Sequence, residues 1–377
     1  MRFKLIGKIL HTTVFIVNVI ALFVFVLSAF SDRVSPNSII FFAYLGILFP
    51  CFLFVNILFV IWWILVTRWK YLLFNMIVFI ICSGQIFTYF PLNFKTKNVP
   101  DDCIKVLTYN VMRYNQYRKH TQKNPNNIVN YILDLDADIV CVQEYGLTRN
   151  IPPLITKEDL DIAYEKKYPY RKYSPIYKTV KEEGGNAIYS KFPIKSFKEI
   201  PYPSPGLHNG SFVVELDVNG KNVTLINNHL ESNRLSAKDL VEYEKLLKGI
   251  KELDAKKIGE TGNFMKSKLS VSYNIRAKQA EMVAEYIHNA KSPYIIVCGD
   301  FNDTPISYVR RTVKGGSLLK DAFAETGLGM GISYNRNRFW FRIDYILHSK
   351  NIKSYNCTVG KLEDSDHYPV FTYLQLN

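Results

Sequence analysis

The chain has 377 residues, 47 Lys and Arg against 33 Asp and Glu, a formal net charge of +14 and six cysteines. That length holds one or two domains with a sizeable core, and the positive excess suits an anionic partner such as a phosphate ester, nucleic acid or anionic lipid. Cys51, Cys82, Cys103, Cys141, Cys298 and Cys357 form no CxxC and no Cys/His ligand pattern, which argues against a zinc site and against a disulfide framework.

Residues 1–92 hold six basic residues and one acid, so most of the net charge belongs to the remainder. Three runs in this part carry no charge: Thr12 to Phe30, Ser38 to Thr67 and Tyr71 to Leu92. Each exceeds the roughly 18 residues that mark a spanning helix. The first is too long for a signal-peptide core and lacks a clean small-residue cleavage site. The second contains Pro50, which predicts one long kinked or tilted helix rather than two short spans. Arg2, Lys4 and Lys8 precede the first run, and Arg68 and Lys70 separate the second from the third. The positive-inside rule then puts the N-terminus and the Arg68 loop in the cytoplasm and residues 93–377 outside it. Lys95 and Lys97 pull the other way, and a fourth span would reverse the domain. The expected organisation is a membrane anchor over 1–92, a linker over 93–101 and a soluble domain over 102–377.

The soluble part alternates strands with helices. Lys105 to Asn110 reads as a strand ending in an amide, Asn126 to Leu135 as a helix, and Ile139 to Gln143 as a buried strand followed at once by Glu144. Ile151 to Glu183 is weakly patterned and predicts a surface excursion with short strands. Gly184-Gly185 opens a strand to Ile194; the glycines permit either close approach of a ligand or a bulge. Ser211 to Val218 and Asn222 to Asn227 pair through an Asn219-Gly220 turn, and the second leads into Asn228-His229. Leu235 to Ile250 and Ile275 to His288 are amphipathic helices, with Asp254 to Ser272 between them polar, basic and mobile. Ile295 to Cys298 is a buried strand that stops at Gly299; Asp300 and Asn302 follow and would share a face if the strand continued. Phe339 to Leu347 is an apolar strand with Asp344 inside it, where a carboxylate needs a partner. Asp366-His367 stand near the C-terminus.

Asn110, Glu144, His229, Asp300, Asn302, Asp344, Asp366 and His367 thus recur at strand ends, and ligands in open α/β sheets gather where strands finish. Carboxylates, amides and histidines without cysteine suit Mg²⁺ or Mn²⁺ and metal-assisted phosphoester hydrolysis. The motifs LTYNV, VQEY, GNAIYSKFPI, NNHL, GDFND, RIDYI and SDHYPV, in this order over 102–377, resemble the endonuclease/exonuclease/phosphatase superfamily, which includes deoxyribonuclease I, exonuclease III and neutral sphingomyelinase branches. The resemblance implies a four-layer α/β sandwich with two facing mixed β-sheets. It implies metal binding by Glu144 with Asn110 and Asp366, water activation by Asp300, and phosphate binding by Asn302 and His229. His367 would stabilise the transition state and Asp344 would orient it. Abasic-site endonucleases carry a further acid where this chain has Met112, which weakens a DNA-repair reading. The implied substrate is an anionic phosphoester, nucleic acid or phospholipid. The competing reading is a membrane-tethered binding or scaffolding protein on a degenerate version of the fold.

Overall fold

Alternating apolar residues build twelve strands: β1 (Ile104–Asn110), β2 (Ile139–Thr148), β3 (Tyr170–Lys178), β4 (Glu182–Ser190), β5 (Ile194–Ile200), β6 (Gly210–Val218), β7 (Lys221–His229), β8 (Tyr294–Asp300), β9 (Leu319–Asp321), β10 (Asp344–Ser349), β11 (Ile352–Val359) and β12 (Val370–Leu376). The computed structural model describes all residues except 1, 122, 149–153, 203, 206–208, 234–236, 253, 335 and 337–338. The strands form two six-stranded sheets, ordered β11-β12-β1-β2-β4-β3 and β5-β6-β7-β8-β10-β9. β1–β2 and β7–β8 are parallel and the other pairs antiparallel, so both sheets are mixed.

The period of two along each strand sets the layers. Val106, Cys141, Val214, Leu225, Ile296 and Cys298 point between the sheets into one shared core. Their neighbours point outward: Leu107 and Val140 pack under helix Asn127–Leu135, and Ile226 and Val297 under Ala280 and Val283 of helix Ala255–His288. The result is the expected helix–sheet–sheet–helix sandwich. A polar clamp crosses the core, since Gln143 Nε2 donates to Asn227 Oδ1 at 2.6 Å and Asn227 Nδ2 donates to the Val142 and Ala187 carbonyls, both at 3.1 Å.

Several expectations need correction. Residues 255–272, expected to be a mobile connector, are helical and continuous with the amphipathic stretch to His288. The preceding helix runs Ala237–Glu252, and its expected start at Leu235 lies outside the described residues. The weakly patterned 151–183 stretch contains helix Lys157–Tyr164, closed by a capping box between Thr156 and Asp159, and the nine-residue β3. The apolar run from Phe339 becomes strand only at Asp344, so Asp344 opens β10 rather than sitting inside it. Gly184 and Gly185 lie within β4 and serve a bulge: a Cβ on Gly185 would stand 2.1 Å from the Ser174 carbonyl, where β3 shifts register. The Asn219-Gly220 turn has φ values of 53° and 84°, the pair a tight hairpin needs.

The N-terminal part is helical: α1 (Arg2–Ala29), α2 (Phe41–Ile47), α3 (Phe49–Leu65), α4 (Trp69–Ile81) and α5 (Ser83–Tyr89). Only the first is by itself long and apolar enough to cross a membrane, over Ile9–Arg33; α2 with α3 and α4 with α5 reach that length as pairs bent by 60° and 66°. The first bend falls at Leu48 with Pro50 in the opening turn of α3, where its missing N–H costs nothing. The second has no proline but sits at Ser83-Gly84, another recurrent kink site. Buried Asn18 and Asn75 exchange hydrogen bonds between α1 and α4, with Trp63 Nε1 donating to Asn18 Oδ1 at 2.8 Å. The helices dock firmly on the sandwich. Ile306 and Met330 pack among Phe25, Phe49 and Tyr89. Leu92 bridges Leu328, and Thr96 N donates to Asn356 Oδ1, so the 93–101 stretch is stitched down.

Candidate active site

Strand register assembles the centre. Asp300 ends β8 and lies opposite His229, the last residue of β7, on one side and Asp344, the first of β10, on the other. Such close strand packing needs Gly299, with φ 131°, because a Cβ there would fall 1.9 Å from the Asn228 carbonyl. The strand therefore runs through Gly299 and stops one residue later than its composition suggests. Asn302 does not share a strand face with Asp300. It sits in a left-handed turn with φ 52°, its N–H donating to Asp300 Oδ1 at 2.8 Å and its side-chain amide to the Leu230 carbonyl at 3.0 Å.

The other sheet faces this trio with Asn110, the last residue of β1, whose Nδ2 donates to Glu144 Oε1 at 3.1 Å and to Asp300 Oδ2 at 3.2 Å. Glu144 is not at a strand end. It lies in mid-β2 with φ 51°, where the pairing with β4 shifts register between Val142 and Tyr145. The bulge lets consecutive Gln143 and Glu144 both reach toward the opposite sheet, which strict alternation would forbid. Asp366 and His367 precede β12, held by Ser365, whose hydroxyl donates to the Asn110 carbonyl at 2.7 Å and accepts from His367 N at 3.2 Å.

All eight residues singled out in the sequence thus converge. His367 is central: Nδ1 lies 2.9 Å from Asp344 Oδ2 and Nε2 3.5 Å from Asp300 Oδ2. Burial alone would lower its pKa, but the Asp344 and Asp300 carboxylates outweigh this and hold the imidazole well above its ordinary value. Burial pushes Asp300 up to about 7, with His367 opposing and Asp344 adding to the shift. Burial would also raise Glu144, yet His229, 3.6 Å away, and the Asn110 amide bring it below its ordinary value. Arg342 does not take Asp344; its guanidinium donates to the Thr88 carbonyl of the helical part. Two contributors carried no usable sequence signal. The Ser333 hydroxyl accepts the Asp344 N–H at 3.1 Å, and the Tyr334 ring meets the His367 imidazole edge-on at 5.0 Å. Both lie in a segment without hydrophobic periodicity.

A pocket of about 270 Å³ opens here. It is lined by Glu144, Asp300, Asn302, Asp366 and His367 of the centre, by polar Ser232, Asn233, Asp303 and Thr304, and by Ile47, Leu269, Tyr273, Phe339, Phe341 and Ile343. A hard divalent cation fits the carboxylates of the centre. Glu144 is 37% exposed toward the cleft, and Asp366, raised first by burial, is raised further by Glu144. Two carboxylates that repel each other supply the oxygen ligands that Mg²⁺ or Mn²⁺ prefers, while Asn110 turns its amide nitrogen to Glu144 and its Oδ1 accepts from Met112 N at 3.2 Å. Ligand atoms of Asp300, Asp344 and His367 also lie within 4.8 Å of one another, but there the imidazole already occupies the space between the carboxylates.

A family model described as the Endonuclease/Exonuclease/phosphatase family matches residues 107–367. The chain belongs to this family. Among solved structures, the human Nocturnin catalytic domain with bound sulfate anion is 15% identical, covering 74% of this chain and 96% of that one with a TM-score of 0.51. An endonuclease/exonuclease/phosphatase from Beutenbergia cavernae is 17% identical (73% and 72% coverage, TM-score 0.48), and sphingomyelinase C from Streptomyces griseocarneus is 17% identical (73% and 99% coverage, TM-score 0.44). At these identities the likeness is one of fold. Residues 9–89 match a second model, described as a domain of unknown function (DUF8431). No curated protein matches. The endonuclease/exonuclease/phosphatase match stops short of β12, yet includes all eight convergent residues.

Proposed function

We propose that the protein is a membrane-anchored phosphoesterase dependent on Mg²⁺ or Mn²⁺, with residues 1–92 as anchor, 93–101 as linker and 102–377 as catalytic domain facing out of the cytoplasm. The observation that carries the reading is geometric: buried Asp300 accepts from Asn110 Nδ2 at 3.2 Å and lies 3.5 Å from His367 Nε2, whose Nδ1 lies 2.9 Å from Asp344. A buried carboxylate placed in such a constellation suits a general base. Asp300 takes the proton of the attacking water. His367, kept cationic by Asp344, meets the charge that grows on the phosphoryl oxygens. Asn302 borders the same cleft, His229 stands 3.6 Å from Glu144 and 3.7 Å from Asp300, and the two are assigned to holding the phosphate. Glu144, with Asn110 and Asp366, would hold the cation, which when bound polarises the phosphoryl group and neutralises its charge. The competing scaffold reading is disfavoured because the polar set is complete and mutually oriented.

Turnover of a generic phosphodiester should stop with chelator, return with Mg²⁺ and fall at least about a hundredfold in Glu144→Gln, which keeps shape but removes the charge. Full activity in that variant, or indifference to chelator, would refute the metal assignment. A panel of DNA, RNA, phospholipid and inositol phosphates separates the substrate classes.

A further inference from the structure

The pocket lining combines the polar centre with apolar side chains, and one of the latter, Ile47, comes from the N-terminal helices rather than from the sandwich. Leu48, the next residue in the chain, is 45% exposed, and Phe41 at the other end of α2 is 56% exposed. The wall is fixed in place. The Tyr44 hydroxyl donates to the Lys266 carbonyl at 2.7 Å, and the Tyr44 and Tyr273 rings meet edge-on at 6.0 Å, tying α2 to the long helix that carries Leu269. Phe339, also in the lining, stacks on Tyr243 at 4.4 Å beside Trp340, which is 60% exposed.

We propose that the pocket takes a long-chain phosphoester of the bilayer, its phosphate against Asp300 and His367 and the start of its apolar chain against Ile47, Leu269 and Phe341. This rests on the phosphoesterase reading. The N-terminal helices then do more than tether the enzyme: they form part of the subsite that selects an amphiphilic substrate.

The test uses the full chain in vesicles of phosphatidylethanolamine and phosphatidylglycerol containing a trace of phosphatidylglycerol with a diazirine in its acyl chain. Photolabelling should reach peptides containing Ile47 and Leu269. In the double variant Ile47→Asn, Leu269→Asn it should fall about tenfold there while persisting on the exposed face of α1, around Ile20 and Phe23. Label confined to that outer face in the unmodified chain would overturn the inference without any reference to turnover. Hydrolysis is scored in parallel on the vesicle lipid, on a polyprenyl diphosphate, on bis(p-nitrophenyl) phosphate and on single-stranded DNA. Turnover of either lipid, with a lipid-to-soluble ratio that drops about tenfold in the double variant, supports the inference and tells diacyl from polyprenyl chains. Activity on DNA or the soluble diester with none on lipid refutes the lipid subsite and leaves the phosphoesterase intact. Inactivity on all four refutes both.

Discussion

At the scale of single residues, the proposed mechanism leans on the contact between Asp344 and His367. A carboxylate 2.9 Å from Nδ1 fixes the ring's orientation, favours its charged form and keeps Nε2 turned toward Asp300. His367→Ala and Asp344→Ala should each cost about ten- to a thousandfold in kcat/KM, and the double variant little more, because the two act as a unit. Multiplicative losses in folded protein would rule the pairing out. A different residue-scale expectation concerns the turn that follows Asn110. Met112 through Tyr117 all have positive φ, from 43° to 65°, without a glycine. Left-handed backbone costs an ordinary residue about 1–2 kcal/mol, so exposed Gln116, with φ 57°, is a place where glycine should help. Gln116→Gly should raise the unfolding free energy by about 1 kcal/mol, whereas in a right-handed helix it would lower it by a similar amount. Thermal or denaturant unfolding of the full chain gives the sign.

Among elements, strand ends were legible and their departures from regularity were not. Asn110, His229 and Asp300 could be placed from composition because each follows an apolar run that only a buried strand explains. The bulge at Glu144 and the left-handed turn at Asn302 could not, since both depend on cross-strand register, a non-local property. The helical 255–272 stretch was missed because its residues are polar and basic, and its helicity comes from continuity with an apolar-faced successor. Arg310 and Asp321 were equally silent in the sequence, yet they join helix Tyr308–Val313 to the end of β9 through bonds of 3.0 and 2.6 Å to one carboxylate oxygen. Burial would raise Asp321, but Arg310 and Arg342 outweigh it and hold it below the ordinary 3.8. A carboxyl lowered by folding adds stability that is present above its unfolded pKa and lost as pH falls through the folded value. Asp321→Asn should therefore cost about 3–5 kcal/mol at neutral pH, by leaving a buried guanidinium without its counter-charge. The gap between variant and parent should narrow below pH 3.8. A constant gap down to strongly acid pH would mean the pair adds nothing electrostatic.

For the whole molecule, the sandwich followed from motif order, while the association of the two halves did not: nothing in a run of apolar residues says which soluble loop it will meet. Orientation remains a sequence argument from Arg2, Lys4, Lys8, Arg68 and Lys70. A reporter active only outside the cytoplasm, fused after Asn377, should be active; activity of a cytoplasm-only reporter there would reverse the arrangement. The docking of Ile306 has a consequence in time rather than in space. The catalytic turn begins at Asp300 and ends, six residues on, in a side chain seated among the N-terminal helices. Those helices leave the ribosome first and the turn far later, so the newborn chain meets its own anchor already in place. Under the proposed function, the turn that carries Asp300 gains its seat at Ile306 only once the N-terminal helices have packed, so activity is expected to follow their assembly.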